Sequence, residues 1–575
     1  MAAIAGIIAS TTEDLRCIHA MSGSMSHRAA SEQHLWVSDP IAARYDPTPF
    51  PSTAPHPARA CLVQRPATSE EATTYDNERF WLAMDGDIFN ADELRVDLAA
   101  RGHRFRTAAD SEVVLAAFKE FGPACLERFN GAFAIVLLDR HARQIMLARD
   151  RFGIRPLFYC AQRHRLSVAS EIKALLCLPE LRARLERHTL VDFICHGNPA
   201  RDTASFFAHV QAFPPAHYAL VALDAPTPLA PQPYWQPEAL VPSTEETAVV
   251  TQFRDLFHTA VALRARHRQP IGACLSGGFD STAMGVMLRE VMGKNTALHS
   301  FSACFDEGGQ EARTAITLAS GAAQSLSNTT YPMAEDFMAE LDTLLWHQEQ
   351  PFPHPARYSQ WCLMRTAYEA QVPFVLESTG TNRLFGFHEA LHTPPRQGLS
   401  ALLPWGRSTS ERALARLMPN YQPAPPMPEP LAFPLQASGH NGMAFGITLS
   451  YPYLDHRLVE FTQRLPASLR QHFGQPKALL HKAMEGALPE PIRQRHGSDK
   501  LATPLDQWMQ AAILPAFLRD IKQSRLPLVP VIHGGELREL VTRQLHRPDT
   551  ALTPILFRLF IANRWMQRFN IAPII

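Results

Sequence analysis

The residues best suited to chemistry are Ser276, Gly277, Gly278, Phe279, Asp280 and Ser281, which follow the apolar run 271–275 ending in Leu275. That run, punctuated by Pro270, reads as a buried strand, and residues 281–293 carry a helical pattern. Two adjacent glycines let backbone N–H groups turn inward around an anion where a side chain would block its approach. The helix start adds free N–H donors and the positive end of the helix dipole, so a phosphate or pyrophosphate is favoured there. Asp280 would repel phosphate directly, and a carboxylate in that place is best read as a magnesium ligand. The plainer reading is a strand, turn and helix with small residues. The strand, Ser-Gly-Gly, Asp-Ser and helix in register favour the phosphate site.

The elements that position this loop suggest a parallel α/β domain. Strand-like runs at 297–303 and 372–376 alternate with helical stretches, and ligands of such sheets bind beyond the carboxyl ends of the strands. Ser302 and Ala303 leave the second strand, and Ser378, Thr379 and Gly380 leave the third. The expected arrangement puts adenine against the second loop and pyrophosphate over the first. An amphipathic helix at 245–266, with Val249, Phe253, Leu256, Phe257, Ala260 and Val261 at helical spacing, leads into this domain.

The first part of the chain reads as α+β. Strands are expected at 4–8 and 80–84, then a turn at Asp85, Gly86 and Asp87. Helices are expected at 91–100, stopped by Gly102, and at 110–121. Residues 133–138 and 144–148 form a hairpin. Phe213, Pro214 and Pro215 close the unit, and residues 216–244 read as a proline-rich linker. The domain scheme is therefore 1–215, a linker at 216–244, and 245–575.

Composition narrows the function classes. The 575 residues suit two or more domains, and 55 basic residues balance 55 acidic ones, which gives no electrostatic case for nucleic acid or an anionic membrane. Nine cysteines stand singly without a Cys-x-x-Cys pair, which argues for reduced thiols in the cytoplasm rather than a zinc site or disulfide framework. The apolar start lacks the basic region of a signal peptide, and no run approaches the roughly 20 apolar residues that span a bilayer.

Five segments in order, DGDIFNADELR, DSEVVL, FNGAFAIVLLD, ARDRFGIRPLFY and SEIKALL, resemble the glutaminase domain of glutamine-hydrolysing asparagine synthetases. The second domain resembles the synthetase domain of the same superfamily. It carries an SGGxDS loop, QEQPF at 348–352, Tyr451-Pro452-Tyr453-Leu454-Asp455, residues 477–483, and an Arg-x-Lys-like stretch ending at Lys500. The resemblance implies an N-terminal α+β sandwich like the Ntn hydrolases and a C-terminal α/β ATP-pyrophosphatase domain. It implies ATP bound by Leu275, Ser276, Gly277, Gly278, Asp280, Ser281, Ser302, Ser378 and Gly380. Magnesium would lie on Asp280 and Asn382, and Lys500 would stabilise the transition state.

The departures are informative. The family's nucleophilic cysteine is replaced by Ala2, and its His-Arg-Gly-Pro-Asp segment by His27-Arg28-Ala29-Ala30-Ser31. Asp110 matches the residue that grips glutamine's amino group, or serves as a helix cap. A methyl group cannot attack an amide, so the expectation is a retained scaffold that does not hydrolyse glutamine. On the third strand, Asn382 replaces the second magnesium-binding Asp, with Glu377 or Glu389 as conceivable substitutes. Thr379 stands where asparagine synthetases have Glu and β-lactam synthetases have Tyr. Relatives without the cysteine use an amine already on their substrate and close a ring. The expected activity is AMP-forming amide ligation, most like a lasso-peptide macrolactam cyclase acting on a precursor peptide with a companion leader peptidase. A β-lactam or carbapenam synthetase-like cyclase, an ammonia-dependent asparagine synthetase and an inactive scaffold are the alternatives.

Overall fold

The structure is a computed structural model of the chain. It describes residues 2–8, 14–28, 34–37, 60–65, 74–76, 79–162, 165–199, 201–236, 245–305, 309–385, 409–419, 431–466, 477–494 and 503–571. Two compact units emerge. One comprises Met1–Ala183, Arg201–Gln236 and Leu431–Gly439, and the other Arg184–Ala200, Pro237–Pro430 and His440–Ile575. Among the described residues no helix is long and apolar enough to cross a membrane.

The first unit contains β1 (Ala3–Ile8), β2 (His34–Val37), β3 (Ala60–Arg65), β4 (Thr74–Asp76), β5 (Phe80–Ile88) and β6 (Gly131–Asp139). It continues with β7 (Gln144–Arg149), β8 (Phe158–Gln162), β9 (Arg165–Ala169), β10 (Gln211–Ala212), β11 (His217–Ala222) and β12 (Gln232–Pro233). They form two antiparallel sheets, ordered β10-β8-β9-β1-β3-β2 and β12-β11-β7-β6-β5-β4. The period-2 alternation of β6 explains the layering. Ala134, Val136 and Leu138 join Ile4, Ile8, Leu62 and Val168 in the core shared by the sheets. Phe133, Ile135 and Leu137 instead face the helices Ala91–Ala100 and Asp110–Phe121 through Leu94, Leu98, Val113 and Val114. The helix Asp14–Ser24 packs beside β1 and β3, so the unit has four layers.

Two sequence expectations change here. The expected turn at Asp85–Asp87 is strand, because β5 runs on to Ile88 with Gly86 opposite Phe133. Gly86 has φ 129°, and a Cβ there would lie 1.9 Å from the Ala132 carbonyl oxygen. Glycine is required because the strands approach closely, not because the chain reverses. The stretch 216–244 is not linker throughout. β11 pairs with β7 from Tyr218↔Ala148 to Ala222↔Gln144, and β12 pairs with β11. Tyr234 is buried in the core and donates its hydroxyl to the Arg149 carbonyl at 2.9 Å.

The second unit contains β13 (Ile271–Cys274), β14 (Leu298–Ala303), β15 (Leu326–Thr330), β16 (Phe374–Leu376) and β17 (Thr448–Ser450). All pair in parallel, in the order β15-β14-β13-β16-β17. The chain builds outward from β13 in one direction, then returns to build in the other. The carboxyl ends of β13 and β16 therefore flank the switch point, where an open α/β sheet leaves a crevice for ligand. The parallel α/β expectation holds, with β15 and β17 added to the three strands read from sequence.

Candidate functional site

The Ser-Gly-Gly turn leaves β13 at this crevice, and its shape is fixed internally. Ser276 N–H donates to the Ser281 hydroxyl at 3.1 Å, and Gly278 N–H donates to the Ser276 hydroxyl at 3.3 Å. The Ser281 and Thr282 hydroxyls donate to the Gly278 carbonyl at 3.2 and 2.7 Å. Gly277 has φ 75°, and a Cβ there would meet Ala315 at 2.9 Å, so both backbone conformation and space demand glycine. The helix Phe279–Met292 begins two residues earlier than its apolar pattern suggests. Its first turn presents N–H groups that have no carbonyl partner within the helix. The Ser302 hydroxyl donates to the Leu275 carbonyl at 2.6 Å, tying the end of β14 to the loop.

Asp280 is held at the helix start. Its backbone carbonyl accepts from the Tyr453 hydroxyl at 3.0 Å, and its Oδ2 accepts from Lys477 Nζ at 2.5 Å. Asp280 Oδ1 is buried without a hydrogen-bond partner. A carboxylate with one oxygen oriented and the other left with open lone pairs beside an anion cradle fits a divalent cation. Asn382, on the short helix Thr381–Leu384, is exposed and can add only a neutral amide oxygen. Magnesium bound there would neutralise charge on the phosphates of ATP.

The supports of this arrangement are distant in sequence. Tyr453 stacks on Phe257 with centroids 4.8 Å apart, on the helix Glu246–Ala265. Asp455 pairs with buried Arg264 of the same helix at 3.0 Å and accepts from Arg457 at 2.9 Å. His481 stacks on Phe279 at 3.8 Å. Gly380 has φ 102° and presses against Leu454, whose Cδ2 would lie 2.5 Å from an added Cβ. The Tyr451–Asp455 segment thus braces the phosphate loop on one side and the β16 loop on the other.

The structure therefore brings Leu275, Ser276, Gly277, Gly278, Asp280, Ser281 and Ser302 together around one turn. Ser378 and Gly380 lie on the loop leaving the neighbouring strand, and Asn382 on the short helix that follows it. Lys500 and Glu389 lie outside the described residues. The sequence reading assigned no role to Lys477. Its place at the head of the helix Ala478–Ala483, with φ 63°, turns its ammonium towards Asp280.

In the first unit, Ala2 is buried, 3% exposed. Arg28 is also buried, and its guanidinium meets Asp85 at 2.9 Å and Glu171 at 3.4 Å. Glu171 further contacts His27 at 3.1 Å and Lys173 at 2.5 Å. Burial pushes the Glu171 carboxyl up, but Lys173, His27 and Arg28 outweigh it and hold the carboxyl well below the usual range. Asp110 is not a helix cap in the usual sense. It is the first helical residue, and its Oδ2 accepts from Ile88 N–H at 2.7 Å, closing the end of β5.

A parallel sheet with a phosphate-type turn at its switch point, joined in one chain to an antiparallel four-layer unit, fits a two-domain enzyme that uses a nucleotide. The chain belongs to the asparagine synthase family, which matches residues 252–429 and 430–567, and a glutamine amidotransferase domain matches residues 1–235. It is similar to asparagine synthetase [glutamine-hydrolyzing] 3 of Bacillus subtilis, 26% identical over 478 residues, covering 74% of this chain and 76% of that protein. Asparagine synthetase [glutamine-hydrolyzing] 1 of the same organism is 24% identical over 503 residues, covering 76% and 78%. Amidase chry2 of Gibberella zeae is 25% identical over 324 residues, covering 53% of this chain and 47% of its own.

Proposed function

We propose that this chain activates a carboxylate with ATP and joins it to an amine carried by its own substrate, closing a macrolactam ring as lasso-peptide cyclases do. The observation that carries this reading is buried Ala2 itself. The position matching the family's nucleophile holds a methyl group, and Arg28 is already engaged by Asp85 and Glu171. Ammonia released from glutamine by this chain is then not available, and an amine on the substrate takes its place in this reading.

In the first step the carboxylate oxygen attacks the α-phosphorus of ATP, pyrophosphate leaves, and an acyl-adenylate forms. The turn at Ser276–Ser281 cradles the departing phosphates, and Asp280 with Asn382 would hold magnesium. In the second, the amine attacks the acyl carbon and AMP leaves. Lys500, with Lys477 beside Asp280, supplies positive charge for the first step. A precursor peptide and a leader peptidase are the implied partners.

The test is incubation of a leader-free precursor peptide with ATP and magnesium. Loss of one water by mass, with one AMP formed per ring, is expected. No mass change with an active control cyclase counts against ring closure. The similarity to asparagine synthetases favours a second reading, ammonia-dependent amidation of aspartate. Asparagine formed from aspartate, ATP and ammonium would select it. Glutamate release from glutamine would overturn the inactive-glutaminase part of either reading.

A further inference from the structure

Glu377 follows β16 on the opposite lip of the crevice from the phosphate turn, one residue beyond the Ala273↔Leu376 pair. Its backbone N–H donates to the Ser450 carbonyl at 2.9 Å, which fixes the residue between β13 and β17. Gln360 Nε2 donates to both carboxylate oxygens, at 3.0 and 3.1 Å, and the Thr379 side chain favours the ionised carboxylate. The Gln360 amide cannot turn over without loss. Its Oε1 accepts from Arg357 Nη1 at 2.8 Å and from Asn441 Nδ2 at 3.2 Å, and Asn441 Oδ1 accepts from Gln348 Nε2 at 2.7 Å. A chain of neutral amides thus holds one carboxylate in one orientation.

That carboxylate is surrounded by protein yet keeps part of its surface open, as do Cys274, Ser378, Thr379 and Gly380 around it. Burial raises its pKa, while Arg357, Thr379 and Gln360 pull it partly back. An anion placed here repels phosphate and the substrate carboxylate alike, so the partner it suits is a cation or a proton donor. Its oxygens accept from Gln360 and keep lone pairs for one further N–H donor, whereas a metal ion would have to displace the Gln360 amide. Asp280 Oδ1, with no donor upon it, is the better metal ligand.

We infer that Glu377, with Thr379, receives the amine of the substrate and accepts its proton as the amide forms. This role rests on the ligase reading above. As the amine nitrogen bonds to the acyl carbon, the acyl–oxygen bond to AMP breaks and AMP departs with the electron pair. The proton shed by nitrogen passes to the Glu377 carboxylate, directly or through the Thr379 hydroxyl. Gln360 is a positioning residue in this scheme. The carboxylate sits two residues before Thr379 rather than at that position itself.

The test separates the two half-reactions. Wild type, Glu377→Gln and Thr379→Val are assayed for ATP–pyrophosphate exchange with a synthetic peptide bearing a free amine and an internal aspartate, and with free aspartate. Trapping of the acyl-adenylate by hydroxylamine and amide formation from the substrate amine or ammonium are then measured. Hydroxylamine is largely unprotonated at neutral pH and, supplied in excess from solvent, sheds its proton to water or to a second hydroxylamine. In Glu377→Gln, exchange and hydroxamate formation should stay within about threefold of wild type while amide formation falls by about 100-fold or more. Thr379→Val, at a partly open position, should show the same split to a smaller degree and keeps the test valid if Glu377→Gln does not fold. Amide formation within threefold of wild type, or a parallel fall in hydroxamate, overturns the role. Absence of exchange in the wild type overturns the ligase reading itself, and this role with it.

Discussion

At the scale of single residues, Asp280 carries the largest expected effect. It combines a carboxylate oxygen without a donor, a backbone carbonyl fixed by Tyr453 and an ion pair with Lys477. Replacing it by Ala removes the charged metal ligand, and ATP–pyrophosphate exchange should fall by about three orders of magnitude, equivalent to several kcal/mol. Full exchange in that variant would refute the metal assignment. Asn382→Asp restores a second carboxylate, and the magnesium concentration for half-maximal exchange should drop several-fold. Glu171 makes a prediction of opposite character, since it supports fold rather than chemistry. Unfolded glutamate titrates near 4.5, and the folded carboxyl is held well below that. Its ionised form therefore stabilises the fold fully above about pH 4.5, and this contribution is lost as pH falls towards the lower folded value. Glu171→Gln should cost about 3–5 kcal/mol at neutral pH, because Arg28 and Lys173 stay buried with less compensation. It should also flatten the acid limb of the melting temperature against pH; an unchanged limb would show that other carboxylates govern acid unfolding.

At the scale of elements, the phosphate turn depends on Gly277 more than on its hydroxyl neighbours. Gly277→Ala places a side chain at φ 75° against the Ala315 backbone, 3.0 Å from its carbonyl carbon. The left-handed conformation alone costs about 1–2 kcal/mol, so a fall of a few degrees in melting temperature is expected together with weaker ATP binding. Unchanged ATP affinity by calorimetry would count against the cradle. The strand and helix around this turn are legible in the sequence because Ile271–Cys274 is an uninterrupted apolar run and the helix after it is long and patterned. The edge strands β15 and β17 are not, since LSNTT and TLS are short and polar. Sequence pattern also misreads Asp85–Asp87, where glycine and two acids look like a turn although β6 takes them into the sheet. Lys477 escapes for a different reason. It lies 197 residues from Asp280, and no local periodicity reports a contact made by tertiary folding. Glu377 is visible as a residue, but its Gln360–Asn441–Gln348 support joins three separated helices or loops and exists only in the fold.

At the scale of the whole molecule, the two units are not consecutive blocks of chain. The backbone passes from one to the other at 183–184, 200–201, 236–237, 430–431 and 439–440. Within the first unit, the Ala432 N–H donates to Asp202 at 3.1 Å, and Phe433 contacts Phe206 with centroids 6.2 Å apart. A fragment of residues 1–236 lacks both contacts and should unfold at lower temperature than the same unit in the full chain, or aggregate when expressed alone. Equal melting of fragment and intact unit would make the late segment dispensable. The same geometry has a consequence for biosynthesis. On a translating ribosome the first 236 residues emerge early but must wait nearly 200 residues more for 431–439 to complete their surface. Through that interval Phe206 lacks its Phe433 contact, so the time this unit spends unfinished is set by how fast the intervening chain is made.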